Sequence, residues 1–178
     1  MSIIKIHQRN FEPFITEKQI NERLTAIAYQ ICAEYEGENP LFLAVLNGAF
    51  ILAADLFRKI TIQSEISFAK ISSYQGTSTT NKISELIGFN EQIEGRNVII
   101  IEDIIDTGLS MQYVLNQLQQ KNPASVKVLT LLFKPKALLF DIIPDYVGFE
   151  IEPKFVLGYG LDYDGLGRNL PDIYVEVE

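Results

Sequence analysis

Residues Val98 to Ser110 read VIIIEDIIDTGLS. Four apolar β-branched residues run straight into two adjacent carboxylates, Glu102 and Asp103. A buried strand needs the apolar run but not the acids, which repel each other unless hydroxyls, a cation or water compensate. Paired carboxylates at a strand end suit sugar hydroxyls or a magnesium ion. Two isoleucines follow, then Asp106-Thr107-Gly108-Leu109-Ser110 leads into a helix. That turn supplies a glycine, two hydroxyls and the free amides of a helix start, an anion site suited to a phosphate monoester. Acids for ribose immediately before a turn for phosphate describe a pocket for ribose 5-phosphate.

The elements that must position this segment are legible around it. Thr16 and Gln19 form a capping box, and Ile20, Leu24, Ile27, Ala28 and Ile31 follow at helical spacing. Leu41 to Leu46 (LFLAVL) is a strand buried on both faces, punctuated by Asn47-Gly48, and Ala49 to Lys59 reads as a helix. Glu65 to Ser72 alternates as a strand, and residues 73–82 (SYQGTSTTNK) read as a mobile polar loop. Val98 to Ile101 is a strand, and Glu102 to Leu109 its following turn. Met111, Val114, Leu115 and Leu118 mark the inner face of the next helix, and Val126 to Phe133 is a third strong strand. Strand-like pieces recur at Tyr146 to Ile151, Phe155 to Leu157 and Ile173 to Val177. Strands alternating with helices predict an α/β fold around a mainly parallel twisted sheet, with ligands beyond the carboxyl ends of the strands. Asn47-Gly48, Glu102 to Ser110 and Lys134 all fall at such ends.

Composition narrows the classes. A chain of 178 residues predicts one domain over 1–178, and 23 acidic against 15 basic residues give a net charge of −8. That balance disfavours nucleic acid as a partner. Cys32 is the lone cysteine and reads as a small buried hydrophobe; His7 is the lone histidine, with no partner for a metal site or a Ser–His triad. No apolar run approaches a membrane span, so a cytoplasmic protein with no membrane partner is expected.

The thirteen-residue string resembles the phosphoribosyl pyrophosphate-binding motif of type I phosphoribosyltransferases, in the Glu-Asp…Asp-Thr-Gly form of the hypoxanthine-guanine enzymes. Further matches run in the family's order from about Leu41 to Leu170. The resemblance implies a small hood, formed by the N- and C-terminal segments, over the sheet. It implies that Glu102 and Asp103 hold the ribose hydroxyls and lie near Mg2+. Asp106, Thr107, Gly108, Leu109 and Ser110 would cradle the 5'-phosphate, with Asp106 also managing the purine N7 proton. Leu46-Asn47-Gly48 is similar to the pyrophosphate loop, with a cis peptide before its middle residue. Many relatives carry Lys or Arg at that position, so Asn47 removes a cation and leaves the backbone role. Ser73 and Tyr74 would belong to a lid. Lys134, in Phe133-Lys134-Pro135, would meet the purine O6. Lys154 to Tyr163 is similar to the base-binding segment: Phe155 stacks on the purine, Val156 bonds its edge, Asp162 helps hold magnesium, and Arg168 meets pyrophosphate.

The implied reaction transfers a phosphoribosyl group from phosphoribosyl pyrophosphate to a 6-oxopurine, in a homodimer or homotetramer. Lys134 would also tolerate xanthine, which keeps a xanthine-preferring transferase open beside a pyrimidine transferase and a non-catalytic phosphoribosyl pyrophosphate-sensing regulator. The acidic charge and the joint presence of Lys134, Phe155 and Asp162 favour catalysis over sensing.

Overall fold

The computed structural model describes residues 3–74, 82–87 and 92–177, with the backbone alone at 72–74 and 82–87. The main sheet contains β3 (Leu41–Leu46), β4 (Glu65–Tyr74), β5 (Lys82–Ile87), β6 (Asn97–Ile105), β7 (Ser125–Phe133) and β8 (Tyr146–Glu150). Its order is β5-β4-β3-β6-β7-β8, parallel throughout except for the antiparallel edge strand β5. This is the α/β architecture expected. The crossovers are α2 (Phe50–Phe57) between β3 and β4 and α3 (Leu109–Gln119) between β6 and β7, while α1 (Glu17–Glu34) enters before β3.

Both faces of the central strands are buried, so apolar residues run without interruption. Phe42, Ala44, Ile99 and Ile101 pack with Leu24, Ile27, Leu52 and Leu56 of α1 and α2. The alternate residues Leu41, Leu43, Val98 and Ile100 pack with Met111, Val114 and Leu118 of α3. Each Leu, Ile, Val, Phe or Met side chain among them contributes about 1.5–3 kcal/mol on full burial. The Thr16 capping box is present, with Gln19 reciprocating, and fixes where α1 begins.

A second, antiparallel sheet has the order β1-β2-β10-β9, from β1 (Ile4–Ile6), β2 (Arg9–Ile15), β9 (Val156–Leu157) and β10 (Ile173–Val177). The two chain ends thus meet in one hood, as the resemblance implied. Its buried residues Ile15, Val156, Ile173 and Val175 belong to the same apolar cluster as the α1/α2 face of the main sheet. No described helix is long and apolar enough to cross a membrane.

Three expectations need correction. Glu102 to Leu109 is not a turn, because β6 continues through Ile105 with Glu102 opposite Thr130 and Ile105 opposite Phe133. Two carboxylates look like a strand terminator, yet the β7 ladder continues past them. Residues 73–82 are not one loop: Ser73 and Tyr74 end β4, and Lys82 begins β5 opposite Tyr74. Residues 75–81 lie outside the described ones. Cys32 is only half-buried and accepts from the Thr61 amide at 3.4 Å.

At the end of α1, Glu34 accepts from Lys127 Nζ of β7 and from the Tyr146 hydroxyl of β8. The Lys127 hydrogen bond first, then that of Tyr146, holds the Glu34 carboxyl below its ordinary value of 4.5. A depressed carboxyl stabilises the fold above its unfolded value and loses that effect as pH falls through the lowered one. Glu34→Gln should therefore lower the urea midpoint at neutral pH. Below pH 4.5 its midpoint should also fall less steeply than that of the wild type. Parallel slopes would show that this cluster carries no pH-linked stability.

Candidate active site

Taken alone, the five parallel strands run in the order second, first, third, fourth, fifth in sequence. The chain direction across the sheet therefore reverses between β3 and β6, where open α/β sheets bind ligands. Leu41 to Ala44 lie in register with Val98 to Ile101, so the residues after β3 run beside Glu102 and Asp103. The Leu46–Asn47 peptide is cis. Gly48 then passes so close to the acids that a Cβ on it would lie 1.6 Å from Asp103 Oδ2. Only glycine fits there, for lack of space rather than for a special dihedral angle.

Glu102 is buried, and its Oε2 has no hydrogen-bond partner among the described residues. Burial, followed by the charge of Asp103, pushes the Glu102 carboxyl well above the usual carboxylate range. Burial likewise raises Asp103, against the opposing pull of Glu102, the Ile104 amide and Arg168. Asp103 Oδ1 accepts from the Ile104 amide at 2.9 Å. Strict alternation would place Ile101 and Ile105 on one face, but they lie in opposite clusters. The strand's facing therefore slips across the two acids.

Glu102 to Met111 line a cavity of about 290 Å³. Its floor is the turn after β6. Gly108 has φ 83°, a left-handed value open to glycine, and caps α3. The Leu109, Ser110 and Met111 amides precede the first intrahelical bond, which Gln112 donates to Gly108. Thr107 and Ser110 are exposed at the mouth. Behind the turn, Ile142 and Leu138 pack where a Gly108 Cβ would stand, at 3.0 and 3.3 Å. Lys134, at the end of β7, is buried, and its ammonium donates to Asp106 Oδ2 at 2.7 Å.

The C-terminal loop closes on the same place. Arg168 donates to the Gly160 carbonyl at 2.6 Å and pairs with Asp162 Oδ1 at 2.6 Å. A Cβ on Gly160 would lie 2.2 Å from the Gly48 carbonyl oxygen. The pyrophosphate-loop candidates, the acids, Asp162 and Arg168 are thus brought together. Among the described residues, however, no group of three or more His, Cys, Asp and Glu side chains could hold a metal ion. Phe155 lines a different cavity, of about 530 Å³, with Pro153, Lys154, Glu176 and Val177. Phe155 is 37% exposed, and Val156 beside it is buried in β9. The lid candidates Ser73 and Tyr74 follow the β4 backbone, and their side chains lie outside the described set.

A family model for the phosphoribosyl transferase domain matches residues 15–164. The chain belongs to the phosphoribosyl transferase family. It is 39% identical to the hypoxanthine-guanine phosphoribosyltransferase of Lactococcus lactis over 90% of this chain and 88% of that protein. It is 41% identical to the bifunctional protein TilS/HprT of Listeria innocua over 89% of this chain, and spans about 25% of that longer relative. Among solved structures, a hypoxanthine-guanine phosphoribosyltransferase of Bacillus anthracis superposes with a TM-score of 0.87 at 39% identity, over 94% of this chain and 97% of that one. A hypoxanthine phosphoribosyltransferase of Staphylococcus aureus gives 0.88 at 35% identity, over 93% and 91%.

Two features of this phosphoribosyl transferase escaped sequence reasoning. Arg9, in the hood, lies 5.3 Å from the Phe155 ring centroid and 5.1 Å from that of Tyr163, and pairs with Glu176. Tyr159 is buried, and its hydroxyl donates to Asp55 of α2 at 2.7 Å. A tyrosine between two glycines was the only local signal, and nothing in sequence pointed it at Asp55.

The Gly48 contact yields a direct test. Gly48→Ala should cost about 1–3 kcal/mol of stability, since its methyl overlaps a confined carboxylate. Asp103→Ala in the same chain should recover most of that loss in chemical denaturation. Equal instability of the single and double variants would place the clash elsewhere.

Proposed function

We propose that the protein transfers the 5-phosphoribosyl group from phosphoribosyl pyrophosphate to N9 of a 6-oxopurine, hypoxanthine or guanine. The products are IMP or GMP and pyrophosphate, and the role is purine salvage. One observation carries this reading. The Asn47-Gly48 loop, the buried Glu102 with the half-buried Asp103 and the amide-lined turn meet at the sheet's switch point, and Lys134 is bonded to Asp106 at its edge.

In this reading the turn amides from Thr107 to Ser110 bind the 5'-phosphate, so remote binding energy orients the ribose. Glu102 and Asp103 accept from the ribose hydroxyls, which would give Glu102 Oε2 the partner it lacks among the described residues. Asn47, Gly48 and Arg168 bind the pyrophosphate. Displacement at the anomeric carbon passes through an oxocarbenium-like state, for which placement of charge matters more than covalent help. Asp106 accepts the purine N7 proton as a general base and is oriented for this by Lys134. Lys134 engages Asp106 with one of its three donors and offers another to the purine O6. An adenine amino group would face that donor with a donor, so adenine is rejected. Phe155 stacks on the base, the Val156 backbone bonds its edge, and Ser73 and Tyr74 belong to a lid.

The acid pair fits Mg2+, a hard ion usually held by one or two carboxylates together with substrate oxygens rather than by an all-protein cage. Glu102 and Asp103 would hold it, with Asp162 close to the pyrophosphate. When bound, it neutralises charge developing on the departing pyrophosphate.

Incubation with Mg2+, phosphoribosyl pyrophosphate and each free base tests the proposal: IMP and GMP should form and AMP should not. Absence of any nucleotide would overturn it. Asp106→Asn should reduce kcat by about 100-fold or more while nucleotide affinity changes little. Matched losses of rate and affinity would reduce Asp106 to a binding group. In Lys134→Ala, discrimination between hypoxanthine and adenine should erode, and an unchanged ratio would remove Lys134 from the base site.

A further inference from the structure

We infer that Tyr159 and Asp55 form a positioning pair that sets affinity for the pyrophosphate group without touching it. The inference rests on the proposed reaction and adds two residues to it. Tyr159 has φ 50°, in the left-handed region, between Gly158 at 99° and Gly160 at 100°. Three consecutive residues in that region form a contorted link whose path needs outside support. The Tyr159 amide donates to the Leu170 carbonyl at 2.8 Å, and the Gly160 amide to the Arg168 carbonyl at 3.0 Å. These bonds fasten the link to its own loop. The Tyr159 hydroxyl fastens it to another element: it crosses to Asp55 Oδ2 on α2 at 2.7 Å.

That destination matters because α2 begins two residues after Gly48. Gly160 packs directly on the Gly48 carbonyl, with Phe50 of α2 at the edge of the contact. The far side of Gly160 carries Arg168, which donates to its carbonyl and pairs with Asp162. Gly160 is therefore a spacer between the two halves of the pyrophosphate site. Its neighbour's hydroxyl ties the C-terminal half to the helix that carries the N-terminal half. Asp55 faces a cavity of about 540 Å³, shared with Lys18, Arg58 and Lys59, and lies outside the cavity lined by Glu102 to Met111. Loss of this tie should let Gly160 and Arg168 drift from Gly48, while the purine and 5'-phosphate contacts stay in place.

Tyr159→Phe removes one hydroxyl and keeps the ring. It should raise KM for phosphoribosyl pyrophosphate, and the Kd for pyrophosphate, by about 5- to 10-fold, the size of one net hydrogen bond. KM for hypoxanthine should stay within about 2-fold, and so should kcat, because one lost bond of this kind would exceed that margin. Asp55→Ala should match Tyr159→Phe, and the double variant should be no worse than either. Asp55→Asn keeps an acceptor for the phenol and should recover most of the affinity. A merely structural tyrosine would lower Tm and move both KM values together, and that result would overturn the inference. So would an active Tyr159→Phe with wild-type affinity for pyrophosphate. A wild-type protein that makes no nucleotide would instead overturn the functional reading, and the pair's role with it.

Discussion

Two adjacent carboxyl groups, one buried and one half-buried, stand near the end of a central strand, and the rest of the site is arranged around that fact. Desolvation disfavours their charged forms, and the charge of Asp103 disfavours that of Glu102 further, while the Glu102 hydrogen bond pulls Asp103 the other way. One oxygen of Glu102 has no partner among the described residues. Protein structures rarely leave such a group unmatched, because it costs about 1–3 kcal/mol. Most of the surrounding β3, β6 and β7 side chains are buried hydrophobes. A ligand rich in hydroxyls, or a cation shared with one, would supply that oxygen with a partner.

The same acids dictate what may stand beside them. Gly48 and Gly160 are stacked one behind the other on Asp103: a Cβ on the first would meet the carboxylate, and a Cβ on the second would meet the first's carbonyl. Two backbone segments more than 100 residues apart, by their numbering, are thereby held at backbone contact. Gly48 is half-buried there and Gly160 buried. In the proposed reaction, the path of the chain at Asn47 matters more than its side chain, in keeping with a loop that carries no cation at that position.

Most of the main sheet was legible in the sequence, and so were the hood strands β9 and β10, but β1 and β2 were not. Continuous apolar runs such as LFLAVL and VKVLTLLF have no stable place except a strand covered on both sides, and they are found there. By contrast, β2 reads RNFEPFI, with a proline and three polar or charged residues, because an edge-rich antiparallel sheet faces solvent on one side. The end of β6 was misjudged because acids at a strand end resemble a turn, whereas the β7 ladder carries the strand to Ile105. Candidates within one short segment, such as Asp106 to Ser110, were legible because local sequence fixes their geometry. Lys134 on Asp106 and Tyr159 on Asp55 join residues 28 and 104 positions apart, and only the folded chain aligns them.

Charge deepens the point about backbone recognition. A chain with net charge −8 is proposed to bind two anionic groups, the 5'-phosphate and pyrophosphate. The cations nearest the cleft are not surplus: Lys134 is held by Asp106, and Arg168 by Asp162. Each pair is close to neutral from a distance, so neither generates a long-range attractive field. Beside Arg168 and the metal, the proposed reaction relies on a set of fixed dipoles to receive the anions: the amides at the start of α3 and the peptides of the loop after β3. Such dipoles act only at contact and in a set direction, and they cost no reorganisation when charge shifts during reaction. An acidic surface and an anion site are therefore compatible here, because recognition depends on where amides point rather than on how many positive charges the protein carries.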